Sequence, residues 1–301
     1  MTRVSSGSSR PSSSPRSQVA SVVAALFVTA ALPARAMPPG EAGRKTREAW
    51  TLMTQLRLEE AARLSREVSG SYPNDADVLE LEAQLHFHEG RYSRAVAAMD
   101  RAVAVSATDA RRTMAALMRS TMVATEAMIE ARSEDGRFVV TTAPGRDEIL
   151  APYALEAMAA ADRAVTRALG TRVPGPIRLE VYPSSASLAS VSSLTVAEIE
   201  RTGTIALCKW DRLMITTPRA LVRGYPWMDT IAHEYVHLVL ARASRDRAPV
   251  WFQEGVAKYL ERTWRGEAPS SHVDPSVDAI LRRRFRDDTL IPFDQLHPSI
   301  A

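Results

Sequence analysis

Five residues, His233-Glu234-Tyr235-Val236-His237, restrict what the chain around them can become. Two histidines four apart share a face on an α-helix, about one turn apart along its axis. From that face both imidazoles reach one metal ion, and Glu234 projects beside it, where a carboxylate takes a proton from water. Ile231, Ala232, Leu238, Val239 and Ala241 surround the pair with apolar side chains, and no glycine or proline interrupts residues 230–245. The pattern predicts a buried helix.

A catalytic zinc takes three protein ligands and keeps one position open. Glu254 lies 17 residues after His237, beyond the polar turn Ser244-Arg245-Asp246-Arg247 and Pro249, early in a second helical run over residues 250–264. Two antiparallel helices joined by this short loop can bring Glu254 to the same ion. The alternative is a helix pair with buried polar residues and no metal. Four ionisable groups on one face are costly to bury unless they are paired or ligating.

The motif His-Glu-x-x-His, followed by Pro-x-Trp-Phe-x-Glu-Gly-x-Ala-x-Tyr from Pro249 to Tyr259, resembles the gluzincin metallopeptidases, specifically the small bacterial peptidase MA-like group. The resemblance covers roughly residues 136–264 and implies a thermolysin-like zincin domain holding one zinc ion (Zn2+). His233, His237 and Glu254 would be its ligands and Glu234 the general base. One position departs from the family. Many gluzincins carry an acid four residues after the third ligand, where it orients a ligand histidine; here that residue is Lys258. Glu261, on the same helical face, is the candidate substitute. Loss of such a partner weakens metal binding or activity by about 10–100-fold.

Residues 1–36 read as a secretory signal. They combine a Ser-rich start bearing Arg3, Arg10 and Arg16, an apolar run over residues 19–32, and the cleavage pattern Ala34-Arg35-Ala36. The run falls short of the roughly 20 residues that span a bilayer. An uncleaved anchor is the alternative. The expected protein is exported, periplasmic or secreted, with no stable membrane anchor. The 38 basic residues include four arginines in this segment, which leaves 34 against 35 acidic residues, a net of −1. No nucleic-acid partner follows from that balance. Cys208 is the single cysteine, so no internal disulfide forms, and its apolar neighbours mark it as a small hydrophobe.

Residues 41–109 read as helices with an internal repeat, since Ala61 and Pro73 fall 34 residues before Ala95 and Ala107. The second copy, Gly90-Arg91-Tyr92-Ser93-Arg94-Ala95 followed by Met99 and Ala102, resembles a tetratricopeptide (TPR) repeat. In the first copy Leu56 takes the place of the glycine. A helix over residues 109–132 is expected to cap the stack with Met114, Leu117, Met118, Thr121, Met122 and Met128 inward. These methionines read as core filler, a copper site being the sharper alternative. His86 and His88 fall on different helical faces and are expected at the surface or in a groove. Repeats of this type bind protein segments, so the resemblance implies a protein partner.

A charged break at residues 133–136 marks the expected boundary. Beyond it come a strand at 138–142, a helix at 147–169 ending on Gly170, an alternating strand at 176–183, a stretch of little signal at 184–200, and strands at 203–207 and 212–216. The fold class is therefore α+β: a signal peptide over 1–36, TPR-like helical hairpins over 37–135, and a zincin domain with a small mixed sheet over 136–301. In the thermolysin-like fold a peptide substrate adds as a strand beside the zinc. Residues 278–285, with Arg282, Arg283 and Arg284 in a row, read as a solvated helix. Only 47 residues follow Glu254, so the cleft is expected to be open on one side unless a partner or further chain completes it.

The expected function is an exported zinc-dependent peptidase acting on a peptide or protein. The alternative is a catalytically weak or inactive zincin serving as a TPR-type protein-binding scaffold, and a non-peptide metallohydrolase is the third reading. Tyr225, Tyr235, Tyr259 and His272 are oxyanion-donor candidates by residue type.

Overall fold

A computed structural model describes residues 40–266, 275–292 and 295. The expected signal segment and His272 lie outside the described residues. Five helices come first: α1 (Gly40–Thr54), α2 (Leu58–Ser71), α3 (Ala76–His88), α4 (Tyr92–Val105) and α5 (Asp109–Thr125). Strands β1 (Ile129–Arg132) and β2 (Phe138–Thr142), helix α6 (Leu150–Leu169) and strand β3 (Ile177–Tyr182) follow. Next are α7 (Ser185–Ser190), α8 (Val196–Thr202), β4 (Ala206–Lys209) and β5 (Arg212–Thr216). Helices α9 (Trp227–Ser244), α10 (Val250–Leu260) and α11 (Pro275–Arg286) complete the described chain. The molecule is of mixed α+β class.

The strands form one sheet in the order β1-β2-β3-β5-β4. β2, β3 and β5 run parallel, and β1 and β4 close the two edges antiparallel. Parallel neighbours need long crossovers, which α6 and the α7–α8–β4 segment supply. Alternate side chains leave a strand on opposite faces. On β3, Ile177, Leu179 and Val181 join the core under α6 and α9, while Tyr182 joins a second core with Leu188, Met214 and Leu207. Arg178 and Glu180 share the Tyr182 face, where they pair with Glu130 and with Arg212. The expected apolar–polar alternation is present, yet both faces are covered. Each fully buried aliphatic side chain contributes about 1.5–3 kcal/mol.

Helices α1 to α4 form two hairpins, with Ala61 and Ala95 fully buried where their helices meet. Met118 is fully buried and Met114, Leu117 and Met122 pack around the α3–α4 core, a filler role. The α3–α4 turn is docked on the sheet. Tyr92 donates to Glu180, Gly90 (φ +71°) abuts the Arg178 guanidinium, and His88 has a buried Nδ1 with Asp211, Arg212 and Arg242 around it. His88 is half-buried with Nδ1 turned inward, between the surface and groove positions expected from the sequence.

Several element boundaries differ from expectation: α6 starts at Leu150 and β4 covers Ala206–Lys209 rather than 203–207. The helix expected over 109–132 stops at Thr125, and Ile129–Arg132 becomes β1. That strand is mostly exposed and carries no alternation of its own; pairing with the open edge of β2 creates it. Residues 133–136 are its turn, closed by Ser133 N–H to Phe138 O at 3.0 Å, so the expected boundary falls inside a hairpin. The run expected to reach 264 ends at Leu260. Trp264 Nε1 and Arg265 Nε each donate to Asp229 Oδ1 at 2.8 Å, which pulls the chain back to the start of α9. The stretch of little signal holds α7 and α8, each started by a Ser or Thr cap, Ser184 and Thr195. Helix α11 is present, and its described side chains are exposed. Among the described residues, no helix is long and apolar enough to cross a membrane.

Candidate metal centre

Helix α9 lies across the sheet, and its rotation decides what faces α10. Tyr235 stands two residues from each histidine, about 200° round the helix. Its hydroxyl donates to Asp162 Oδ1 on α6 at 2.5 Å, and Arg137 holds the same carboxylate through 2.7 and 3.1 Å bonds. With Tyr235 fixed to that side, His233 and His237 are turned to the other.

The loop to α10 is short and internally bonded. Arg245 and Asp246 adopt left-handed backbone (φ 56° and 57°), and Asp246 N–H returns to Ala241 O at 2.7 Å. Ser244 Oγ accepts from Arg247 N–H and Ala248 N–H at 3.2 and 3.1 Å. Gln253 Nε2 then donates back to Ala248 O at 2.8 Å, tying the first turn of α10 to the loop. Glu254 follows at once on that anchored turn.

The two helices bring His233, His237 and Glu254 together, with one ligand atom from each within 4.8 Å of the others. His233 Nε2 and His237 Nε2 are 3.2 Å apart. Glu254 Oε2 is 3.5 Å from His233 Nε2, and its Oε1 is 3.5 Å from His237 Nε2. Zinc bonds of 2.0–2.1 Å in a tetrahedron require neighbouring donors about 3.3–3.5 Å apart. Two imidazole nitrogens and a carboxylate are the donor types such an ion takes, and they lie close enough for small side-chain shifts to close them on it. His233 Nδ1 lies 3.1 Å from Glu261 Oε2, and Glu261 Oε1 accepts from Lys258 Nζ at 2.6 Å.

Glu234 has no exposed surface, and neither of its oxygens has a hydrogen-bond partner. Burial pushes its pKa up to about 8, the His233 charge opposing and the Glu254 charge adding. A buried carboxyl without a bond costs stability, so its presence calls for a reason outside folding. At His233 burial pulls the pKa down, but Glu254 and Glu261 outweigh it and carry it to about 9. At His237 burial dominates, with His233 beside it, and the value falls to about 4.

Gln253 was not singled out from the sequence. It is buried beside His237, and its carboxamide raises the pKa of that ring, although no bond between them meets hydrogen-bond geometry. Its adjacency to Glu254 was the only signal available.

The tyrosine candidates separate cleanly. Tyr235 is committed to Asp162. Tyr259 is half exposed and stands about 140° round α10 from Glu254, away from the histidines. Tyr225 donates to Thr216 O; burial raises its pKa and the Glu234 charge adds to the rise. Of the three, it is the one whose hydroxyl feels Glu234. Cys208, on edge strand β4, packs against the core under α9; burial pushes its thiol pKa up, the Glu234 charge next.

The chain matches no protein-family model, and no curated protein shows significant similarity to it.

Proposed function

We propose that the protein is an exported zinc-dependent peptidase of gluzincin type, with His233, His237 and Glu254 as zinc ligands and Glu234 as general base. The observation that carries the reading is the convergence of His233, His237 and Glu254, one ligand atom from each within 4.8 Å of the others, beside a buried, unbonded carboxyl. A bound zinc would acidify a water molecule and polarise the scissile carbonyl. Glu234 takes the proton of the attacking water and delivers it to the leaving amine, work that suits a carboxyl whose pKa lies near neutrality. With zinc bound, His233 and His237 would be neutral imidazoles donating through Nε2, His233 giving up the proton that Glu254 and Glu261 favour on it, and Glu254 would supply negative charge. Burial excludes bulk water from the base and strengthens its electrostatic coupling to the ligands.

On this reading α1–α5 are the TPR-like helices and the zincin domain begins with the β1–β2 hairpin, a few residues before the expected boundary at 136, with a peptide or protein as substrate and the helices offered to a protein partner. Edge strand β4, antiparallel to β5 and packed near α9, suits strand addition by an extended peptide. A second reading, a zinc-holding scaffold without turnover, draws on Lys258 standing where the family carries an acid.

The test is metal content of the mature chain beside His237→Ala and Glu254→Ala, followed by cleavage of a peptide library. About one zinc per chain, lost in both variants, with cleavage, is the expected result. Zinc without cleavage favours the scaffold. A folded wild type that takes up no zinc ends both readings.

A further inference from the structure

Lys258, Glu261 and His233 form a line of contacts that ends on the metal site. The Glu261 carboxylate spends one oxygen on each neighbour: Oε2 at 3.1 Å from His233 Nδ1, Oε1 at 2.6 Å from Lys258 Nζ. Lys258 and Glu261 are three apart on the end of α10, so the helix itself sets their pairing. The Glu261 side chain is 16% exposed and the Lys258 side chain 71%. The contact to histidine is thus sheltered, and the contact to lysine is open to solvent.

From this arrangement we infer that Glu261 is the positioning residue for His233, and that Lys258 limits how strongly Glu261 acts. A carboxylate at Nδ1 fixes the ring orientation and the tautomer, leaving the Nε2 lone pair for a metal. It also makes the ring a better donor. The ammonium on the second oxygen draws charge away from the carboxylate and lessens that effect. Lys258 is itself open to solvent, which screens its charge from the site, so its effect passes through Glu261. With Lys258 in place the site holds zinc more loosely than Glu261 alone would allow. An acid at 258 would do the orienting from one turn after Glu254; this chain moves that task to Glu261 and sets a lysine beside it.

The inference rests on the zinc reading, and its test separates the two. Zinc affinity of the full mature chain is measured by chelator competition in wild type, Glu261→Gln, Lys258→Met and the double variant, with the melting temperature of each metal-free protein. Glu261→Gln is expected to weaken zinc binding by about 10–100-fold. Lys258→Met is expected to tighten it several-fold, and the double variant to match Glu261→Gln alone. Metal-free melting temperatures should stay within a few degrees of wild type. Unchanged affinity in Glu261→Gln, while wild type binds zinc, overturns the inference and leaves the peptidase reading standing. Equal gains from Lys258→Met with or without Glu261 overturn the part assigned to Lys258, because the charge would then act on the ion directly. Absence of zinc in wild type removes the inference together with the reading beneath it.

Discussion

The Arg212 guanidinium, with no exposed surface, lies 4.9 Å from the centre of the Phe87 ring and so joins β5 to α3. Tyr92 and Trp210 complete the cage at 5.1 and 5.6 Å, and Glu180 supplies the countercharge at 3.3 Å. Both Tyr92 and Tyr182 donate to that carboxylate. A buried ion pair needs further bonds to survive, and here Arg212 Nη1 donates to Tyr92 Oη and Nη2 to Val191 O, one from each half of the molecule, while Nε goes without.

Arg212→Ala should therefore cost about 3–5 kcal/mol, because it strands Glu180 without a countercharge. The Arg212→Met, Glu180→Leu double variant should recover much of the loss. Urea denaturation followed by tryptophan fluorescence measures both. A single variant as stable as wild type would show that the cage does not hold the halves together.

Removing residues 41–109 would test the helices as a detachable partner-binding unit, and the cage predicts the outcome. The truncated chain would lack Phe87 and Tyr92 and expose the Arg212–Glu180 pair. It should fail to unfold cooperatively. A sharp, wild-type-like calorimetric transition in the truncated protein would contradict this.

His88 makes the same junction sensitive to acid. Burial holds its pKa down to about 4, Asp211 opposing and Arg212 and Arg242 reinforcing. An unfolded histidine takes its proton near 6.5, so acid favours the unfolded chain. The stabilisation from neutral His88 is full above pH 6.5 and drains as pH falls towards 4. His88→Asn should show a flatter stability profile across that window, in the difference between the two proteins' unfolding free energies. Parallel profiles would assign the acid sensitivity elsewhere.

Tyr235→Phe should retain zinc and turnover, since its hydroxyl serves Asp162. The expected cost is about 1.5–3 kcal/mol, that of a buried bond to a charged partner. A large fall in kcat with unchanged stability would restore it as an oxyanion donor. Tyr225→Phe is the informative comparison.

Glu234→Gln should keep zinc stoichiometry and lower kcat by about 10²–10⁴-fold. Because neither Glu234 oxygen is bonded, the variant's metal-free form should melt at or above the wild-type temperature. A variant that cleaves at the wild-type rate would remove Glu234 from the chemistry.

The sequence by itself determined the local elements and most of the centre. The spacing of His233 and His237 suits a helix, and the short polar loop to Pro249 favours α10 folding back, so the convergence of His233, His237 and Glu254 was legible. Gly170, left-handed, ends α6 as expected, where no side chain pays a steric cost. Only the tertiary structure decided what long-range contacts decide. β1 exists because β2 offers it an edge, and periodicity within residues 129–132 carries no trace of that. Glu261 rather than Lys258 meets His233 because Trp264 and Arg265 draw the end of α10 onto Asp229. The docking of α3 and α4 on the sheet likewise depends on Phe87, Tyr92, Glu180 and Arg212, residues far apart in the chain. Their charges and rings fit no local pattern; burial made them partners.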